Sequence, residues 1–250
     1  VETFKVKDPV GSGAQHIVGR LQNGLIIKYP HVFGKLWDIS TARTVEKDLA
    51  RHKQWGTPIP ETSVVYEPEI ENGDTTVTPP YAILTEEVKG RILREIDLDD
   101  PAIREQMTDL VKRSLEIRKK TGAGVDFMGF EAFRHFAEFI LLEKRKGQLG
   151  AYNLRIDTRN QVKLIDTNLL DPERAPFGMK KAIGLDLDLQ HGAMVELLRN
   201  RELIDECVRV CGSKAFTSFA RKVYAFAHSI EERRANRQPG DRFLAHQVIP

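Results

Sequence analysis

The sequence is poor in cysteine, in long apolar runs and in surplus charge of either sign. Two of its 250 residues are cysteines, Cys207 and Cys211. That excludes a disulfide-stapled scaffold and a zinc site built from four cysteines. Their spacing of four puts both on one face of a predicted helix, as two small packing thiols. No apolar run approaches the ~18 residues a membrane span needs, so no membrane association is expected. The segment Val1-Glu2-Thr3-Phe4-Lys5 lacks the apolar core of a secretion signal. Lys and Arg number 38 against 36 Asp and Glu, a formal charge of +2. With no cationic excess to neutralise a row of phosphates, nucleic-acid binding is not expected. The seven His residues are scattered and form no metal signature such as H-E-x-x-H. These absences describe a soluble, cytoplasmic chain. Its 41% hydrophobic content is too high for disorder, and its length suits one large domain or two joined lobes.

What is present changes character along the chain. The first ~90 residues read as strands with one helix. Phe4-Lys5-Val6 and His16-Ile17-Val18-Gly19-Arg20 flank a glycine pair, and Leu25-Ile26-Ile27-Lys28-Tyr29 follows an Asn23-Gly24 turn signal. Val45, Leu49 and Trp55 predict a helix over 41–55, stopped by Gly56, Pro58 and Pro60. Residues 63–66 and 81–84 are strand-like again, and the acidic, turn-rich stretch 67–80 between them predicts an exposed hairpin. Beyond residue 90 the period lengthens. Ile103, Met107, Leu110, Val111 and Leu115 mark an amphipathic helix, and a second, more apolar one is expected over 130–141. Residues 153–170 predict a strand pair around Thr158-Arg159-Asn160, and from about 190 the chain reads as helical, over 194–199, 203–210 and 216–230. The basic cluster at 233–242 is offset by Glu231, Glu232 and Asp241, and the basic face of Lys112, Arg113, Arg118, Lys119 and Lys120 suits a solvated helix side. The fold class is α+β, with a mostly β front and a mostly helical back.

Three features carry chemistry. The loop Val10-Gly11-Ser12-Gly13-Ala14 lies between two strands, not between a strand and a helix. That context argues against a dinucleotide fold, and it lets backbone N–H groups approach phosphates without Cβ obstruction. Lys28 is the one charge in an apolar strand and can serve as a point charge for phosphate oxygens. Glu46, 18 positions on, lies on the following helix as its candidate partner, with Asp48 as the fallback. Finally, Asn153 and Asp166, 13 apart, bracket two short strands and a turn. A hairpin of this kind brings its ends together, so both can offer oxygen to one Mg²⁺.

Taken in order, these residues resemble the protein-kinase-like fold superfamily over residues ~4 to 200. The resemblance implies two lobes, a β-rich one over 1–88 and a helical one over 89–250. It also implies ATP and Mg²⁺ as cofactors. Gly11, Ser12, Gly13 and Lys28 would contact the nucleotide, together with Glu86 and Val88 in a hinge-like Leu84-Thr85-Glu86-Glu87-Val88. Asn153 and Asp166 would hold the metal, and Asp186 would brace the catalytic loop from the helix behind it.

The chain also departs from that family. The family's catalytic Asp lies five positions before the metal-binding Asn, and Gln148 stands there, with Lys146 in place of the usual His two residues earlier. An amide takes no proton, and base assistance is worth roughly 10²–10⁴-fold. Asp166-Thr167-Asn168 lacks the family's Phe and Gly. The expectation is an atypical kinase-like transferase that moves a phosphoryl or nucleotidyl group, with Gln148 orienting the acceptor. The alternative is a pseudokinase whose nucleotide-controlled closure is read by a protein partner.

Overall fold

Short apolar stretches separated by turn residues build the front of the chain into one broad sheet. The computed structural model describes residues 2–12, 16–30, 39–127, 150–174 and 180–212. Strands β1 (Thr3–Ser12), β2 (His16–Leu21) and β3 (Leu25–Pro30) form an antiparallel meander. The β2–β3 turn follows from Asn23-Gly24. Gly24 adopts φ 83°, which favours glycine, and the Asn23 side chain accepts the Leu25 N–H at 3.1 Å. Helix α1 (Ile39–Trp55) follows and ends where Gly56 turns left-handed, φ 63°. Strands β4 (Thr62–Tyr66), β5 (Glu69–Asn72), β6 (Thr75–Val77) and β7 (Tyr81–Glu86) complete a seven-stranded sheet of order β4-β7-β3-β2-β1-β5-β6.

After Glu86 the chain changes sheets. Strand β8 (Gly90–Arg94) pairs with β10 (Gly150–Asp157), which pairs in turn with β11 (Val162–Leu164). Helix α2 (Pro101–Thr121) has complete local signals: Asp100 accepts the Ala102 N–H at 2.8 Å, Pro101 opens it, and Gly122 closes it at φ 75°. A two-stranded ribbon joins β9 (Gly124–Val125) to β12 (Leu169–Leu170), and helices α3 (Lys180–Leu198) and α4 (Arg201–Cys211) close the described part.

The architecture is α+β in two parts, each with its own core. Val6, Leu21, Ile27, Tyr29, Ile70 and Ala82 cluster on one face of the large sheet; Ala42, Val45 and Leu49 of α1 pack with Tyr81 and Ile83 on another side. A larger cluster centred on Met107, Leu110, Val111 and Leu115 of α2 holds the second part together. Each buried Val, Leu, Ile or Met among them stabilises the fold by about 1.5–3 kcal/mol relative to exposure. Ile59 touches the cores of both parts, and Leu164 donates its N–H to Pro58 O at 2.9 Å. The linker after α1 therefore seats the front on the back.

Two expectations need correction. The 67–80 stretch is a hairpin, but it is not simply exposed: β5 runs parallel to β1, and Ile70 is fully buried. One apolar residue in an acidic segment is enough to dock it, because it fills a gap in the sheet's core. Among the described residues helix α3 spans Lys180–Leu198, reaching further back than both the helical reading from about 190 and the helix that the resemblance placed at Asp186. Its Leu185-Asp186-Leu187-Asp188-Leu189 alternates like a strand, and the helix is decided by packing: Leu187 and His191 lie against the ribbon strand β9 at Gly124. Cys207 and Cys211 do share a helix face, with Sγ atoms 3.9 Å apart. The predicted helices over 130–141 and 216–230 and the basic cluster at 233–242 lie outside the described residues. Among the described residues, no helix is long and apolar enough to cross a membrane.

Candidate functional site

The β10–β11 hairpin is built by its turn. Asp157 Oδ1 accepts the N–H groups of Arg159 and Gln161, both at 2.8 Å, and Asn160 takes φ 60°. This turn sets the register Leu154↔Leu164, Arg155↔Lys163 and Ile156↔Val162. Continuing it outward places Asn153 opposite Ile165, whose N–H reaches Asn153 O at 2.8 Å. Asp166 is the next residue. The two predicted metal ligands are therefore brought to one end of the hairpin, as their spacing required.

Lys28 arrives at the same place from the other sheet. Its Nζ donates to Ile165 O at 2.9 Å, a contact across 137 positions. Ile165 thus receives Lys28 on its carbonyl and gives its N–H to the Asn153 backbone carbonyl, immediately before Asp166 in the chain. Asn153 Nδ2 is committed to Asp126 O at 3.0 Å, which turns the amide oxygen, the metal-binding atom of an Asn, away from that bond. Asp166 Oδ1 accepts the Asn168 N–H at 3.2 Å.

The Lys28–Glu46 pair is not formed. Glu46 is exposed and accepts the Tyr66 hydroxyl at 2.6 Å. Asp48, the fallback, does not meet Lys28 either: it is 2% exposed and holds Arg174 through two bonds of 2.9 Å. In the hinge-like segment, the Glu86 N–H is taken by Glu61 O at 3.0 Å, and Val88 O accepts Arg155 at 3.4 Å. Glu87, which no sequence signal singled out, is gripped by both Nε (3.0 Å) and Nη2 of Arg20. Gly11 is exposed, and a Cβ there would meet nothing within 4 Å. Gly13, Lys146, Gln148 and the side chain of Ser12 lie outside the described residues.

Sequence reasoning missed the groups that hold this corner from behind. Asp126 is 7% exposed, and its backbone carbonyl carries Asn153. The only signal was an Asp after the short run Gly124-Val125, and counting five back from Asn153 passes over it. The expected brace, Asp186, acts through an intermediary. Gln190 Nε2 donates to both Asp126 Oδ1 and Asp186 Oδ2 at 3.0 Å, while its Oε1 accepts the Phe127 N–H at 2.8 Å. Burial pushes the Asp186 carboxyl up to about 6, against the opposing Gln190 bond.

Next to it, His191 is fully buried and neutral. Nδ1 donates to Leu187 O at 2.8 Å, so Nε2 accepts from Ser114 Oγ at 2.8 Å, and that hydroxyl accepts the Val125 N–H at 3.1 Å. Burial lowers His191 to about 4. A depressed histidine is protonated more readily in the unfolded chain. Its stabilising contribution is therefore whole above pH 6.5 and is lost as pH falls towards 4, amounting to roughly 3 kcal/mol. Asp186, being raised, acts in the opposite sense as pH rises from about 4 to 6. The expected result is that the stability difference between wild type and His191→Gln shrinks by roughly 3 kcal/mol from pH 7 to pH 4 in urea titrations. A difference independent of pH would contradict a neutral, buried His191.

Among the described residues, no three His, Cys, Asp or Glu side chains cluster to form a metal site. The Asn153–Asp166 pair fits another type of centre, in which two protein oxygens hold a hard cation and phosphate and water supply the rest. Two surface pockets border the hinge, one of about 730 Å³ against Arg20, Asn23 and Glu87, and one of about 260 Å³ against Pro60, Val88 and Thr158. Neither touches Lys28, Asn153 or Asp166. The convergence of named groups locates the candidate site better than pocket size does.

No family model matches the chain, and no curated protein does. Solved structures of similar outline exist. The GDP complex of wild-type aminoglycoside 2'-phosphotransferase-IIIa is 13% identical, with 84% of this chain and 92% of that one covered, at a TM-score of 0.34. The GDP and kanamycin complex of an APH(2")-III enzyme is 14% identical, with 93% and 95% covered and a TM-score of 0.39. An apo pseudokinase is 10% identical, with 91% and 97% covered and a TM-score of 0.39. These are remote likenesses of outline. The element order of the chain itself is the one that the kinase-like resemblance implies: a strand-rich front carrying Lys28 and a helical back carrying the Asn153–Asp166 hairpin.

Proposed function

We propose that this chain binds ATP with Mg²⁺ between a β-rich lobe, residues 1–88, and a helical lobe, residues 89–250, and transfers a phosphoryl or nucleotidyl group to an acceptor. The observation that carries the reading is at Ile165, whose carbonyl receives Lys28 and whose N–H meets the Asn153 backbone carbonyl, next in the chain to Asp166. Lys28 would hold phosphate oxygens and Gly11, Ser12 and Gly13 would cover them. Glu86 and Val88 would face the base. Asn153 and Asp166 would hold the metal, which when bound would neutralise phosphate charge. Gln148 would orient the acceptor without taking its proton. Asp126, whose own backbone holds Asn153, is a second candidate for that task because a carboxylate can accept the proton.

One observation favours a second reading, a pseudokinase that reports nucleotide to a protein partner. The Asp126 carboxylate is nearly buried and bonded to Gln190, so it is anchored in the core of the helical part. ATP labelled at the α or the γ position separates the readings. Label moving to the protein or to an added acceptor supports transfer, and its position distinguishes nucleotidyl from phosphoryl transfer. Nucleotide that raises the melting temperature only with Mg²⁺, and never loses label, supports the pseudokinase. No stabilisation by ATP under any condition sinks both.

A further inference from the structure

In this chain the helix of the front lobe is fastened to the metal-binding corner, and not to the strand lysine. Three consecutive contacts run from one face of α1 to the segment that follows Asp166. His52 Nε2 meets Thr167 O at 3.1 Å, Asp48 Oδ2 accepts the Leu169 N–H at 3.3 Å, and both Asp48 oxygens take the Arg174 guanidinium at 2.9 Å. Asp48 and His52 are one helical turn apart, so a single face delivers both. Arg174 is itself oriented, because its Nε pairs with Asp171 Oδ2 at 3.0 Å, Asp171 standing just before the 3₁₀ turn Pro172–Arg174. Meanwhile Glu46 faces Tyr66 and Lys28 faces Ile165.

We infer that Asp48 and Arg174 are positioning residues for the nucleotide–metal site, forming the strut that sets where Asp166 stands relative to the front lobe. The inference rests on the function proposed above for Asp166, but the strut itself is a claim about coupling between two parts of the chain. The physical case is burial. The Asp48 side chain is 3% exposed, and its charge is matched chiefly by the planar, two-point Arg174 fork, with Arg51 Nη1 a longer contact at 3.6 Å from Oδ1. Removing Arg174 leaves the buried Asp48 carboxylate with only the longer Arg51 contact, at 3.6 Å, in place of two bonds of 2.9 Å, a local penalty. The segment that must absorb it is 167–174, whose regular structure is the two-residue strand β12 and the single 3₁₀ turn Pro172–Arg174. That penalty therefore falls beside Asp166 before it reaches the two cores.

The test uses the full chain and two readouts. In Arg174→Gln, amide exchange across 165–171 and along the inner face of α1 is expected to accelerate about tenfold or more, with α2 and β1–β3 unchanged. The melting-temperature shift given by ATP with Mg²⁺ should fall by more than half, while any shift given by ATP without metal should persist. Arg174→Lys, which keeps the charge but not the fork, guards against a variant that fails to fold; it should show the same local pattern at smaller size. The exchanged pair Asp48→Arg with Arg174→Asp should recover part of both effects. Exchange that rises evenly over the whole chain, or does not rise at 165–171, overturns the strut. Should the wild type show no nucleotide shift at all, the proposed function fails, and the exchange pattern alone still decides whether the strut exists.

Discussion

Asp166→Ala is expected to abolish the magnesium-dependent part of nucleotide stabilisation while leaving the chain folded. The side chain is half-exposed, and its described bond is a local one to the Asn168 N–H at 3.2 Å. Losing it costs about 1 kcal/mol of stability. The effect on ligand is much larger. A ligand present at 100 times its Kd stabilises the native state by about 2.7 kcal/mol, which for a chain of this length is a shift on the order of 5–10 °C. If Asp166 supplies half of the protein's metal contacts, that shift should shrink to whatever ATP gives without metal. Thermal melts of wild type and variant, with and without Mg²⁺ and ATP, measure it directly. A variant with the full metal-dependent shift would remove Asp166 from the site. Its neighbour Asn153 would then lose its proposed role as well, because the two are placed by the same hairpin.

Gly90→Ala is expected to be the most damaging single-methyl change to stability. A Cβ at this position would lie 2.0 Å from Ile156 O and 2.9 Å from both Ile156 C and Asp157 Cα. All three are backbone atoms of the paired strand β10, so no side chain can swing aside. The strands β8 and β10 would have to part at the Gly90↔Asp157 pair, next to the turn that sets the hairpin's register. Overpacking of this kind costs typically 1–3 kcal/mol, and a backbone clash belongs at or above the top of that range. Urea unfolding should show a midpoint lowered accordingly. Gly11→Ala is the control, since its added methyl meets nothing within 4 Å and should change stability by under about 0.5 kcal/mol. Equal losses at the two glycines would contradict the β8–β10 register.

Much of this could be read from residue order because the information is local. Short apolar stretches bounded by turn signals marked the strands carrying Ile17 and Ile27, Gly56 marked the end of α1, and Thr158-Arg159-Asn160 marked the hairpin turn. Once that turn is known, the meeting of Asn153 and Asp166 follows from antiparallel pairing alone. Lys28 was legible for a related reason: a lone charge in an apolar strand has few places to go. What the residues could not disclose is which partner a side chain finds when several lie within reach. Glu46 and Asp48 are two positions apart, and helix geometry puts them on different faces. Only packing against 167–174 decides that Asp48 is buried with Arg174 while Glu46 turns to Tyr66.

The same limit explains Asp126. Its closeness to Asn153 is a contact across 27 positions, made when β9 pairs with β12 and Gln190 rises from α3 to hold it. Nothing in the spacing announces that, because loop length between two contacting residues costs little free energy and is not constrained by the contact. The sequence by itself thus determined the order of most strands and helices, the hairpin and the meeting of Asn153 with Asp166, whereas the contact of Lys28 with Ile165 is a tertiary one. The tertiary structure decided the partners of α1, the residue behind Asn153 and the burial of His191 and Asp186. Local backbone preferences act over a few residues, whereas ion-pair choice and burial depend on which surfaces the whole fold presses together.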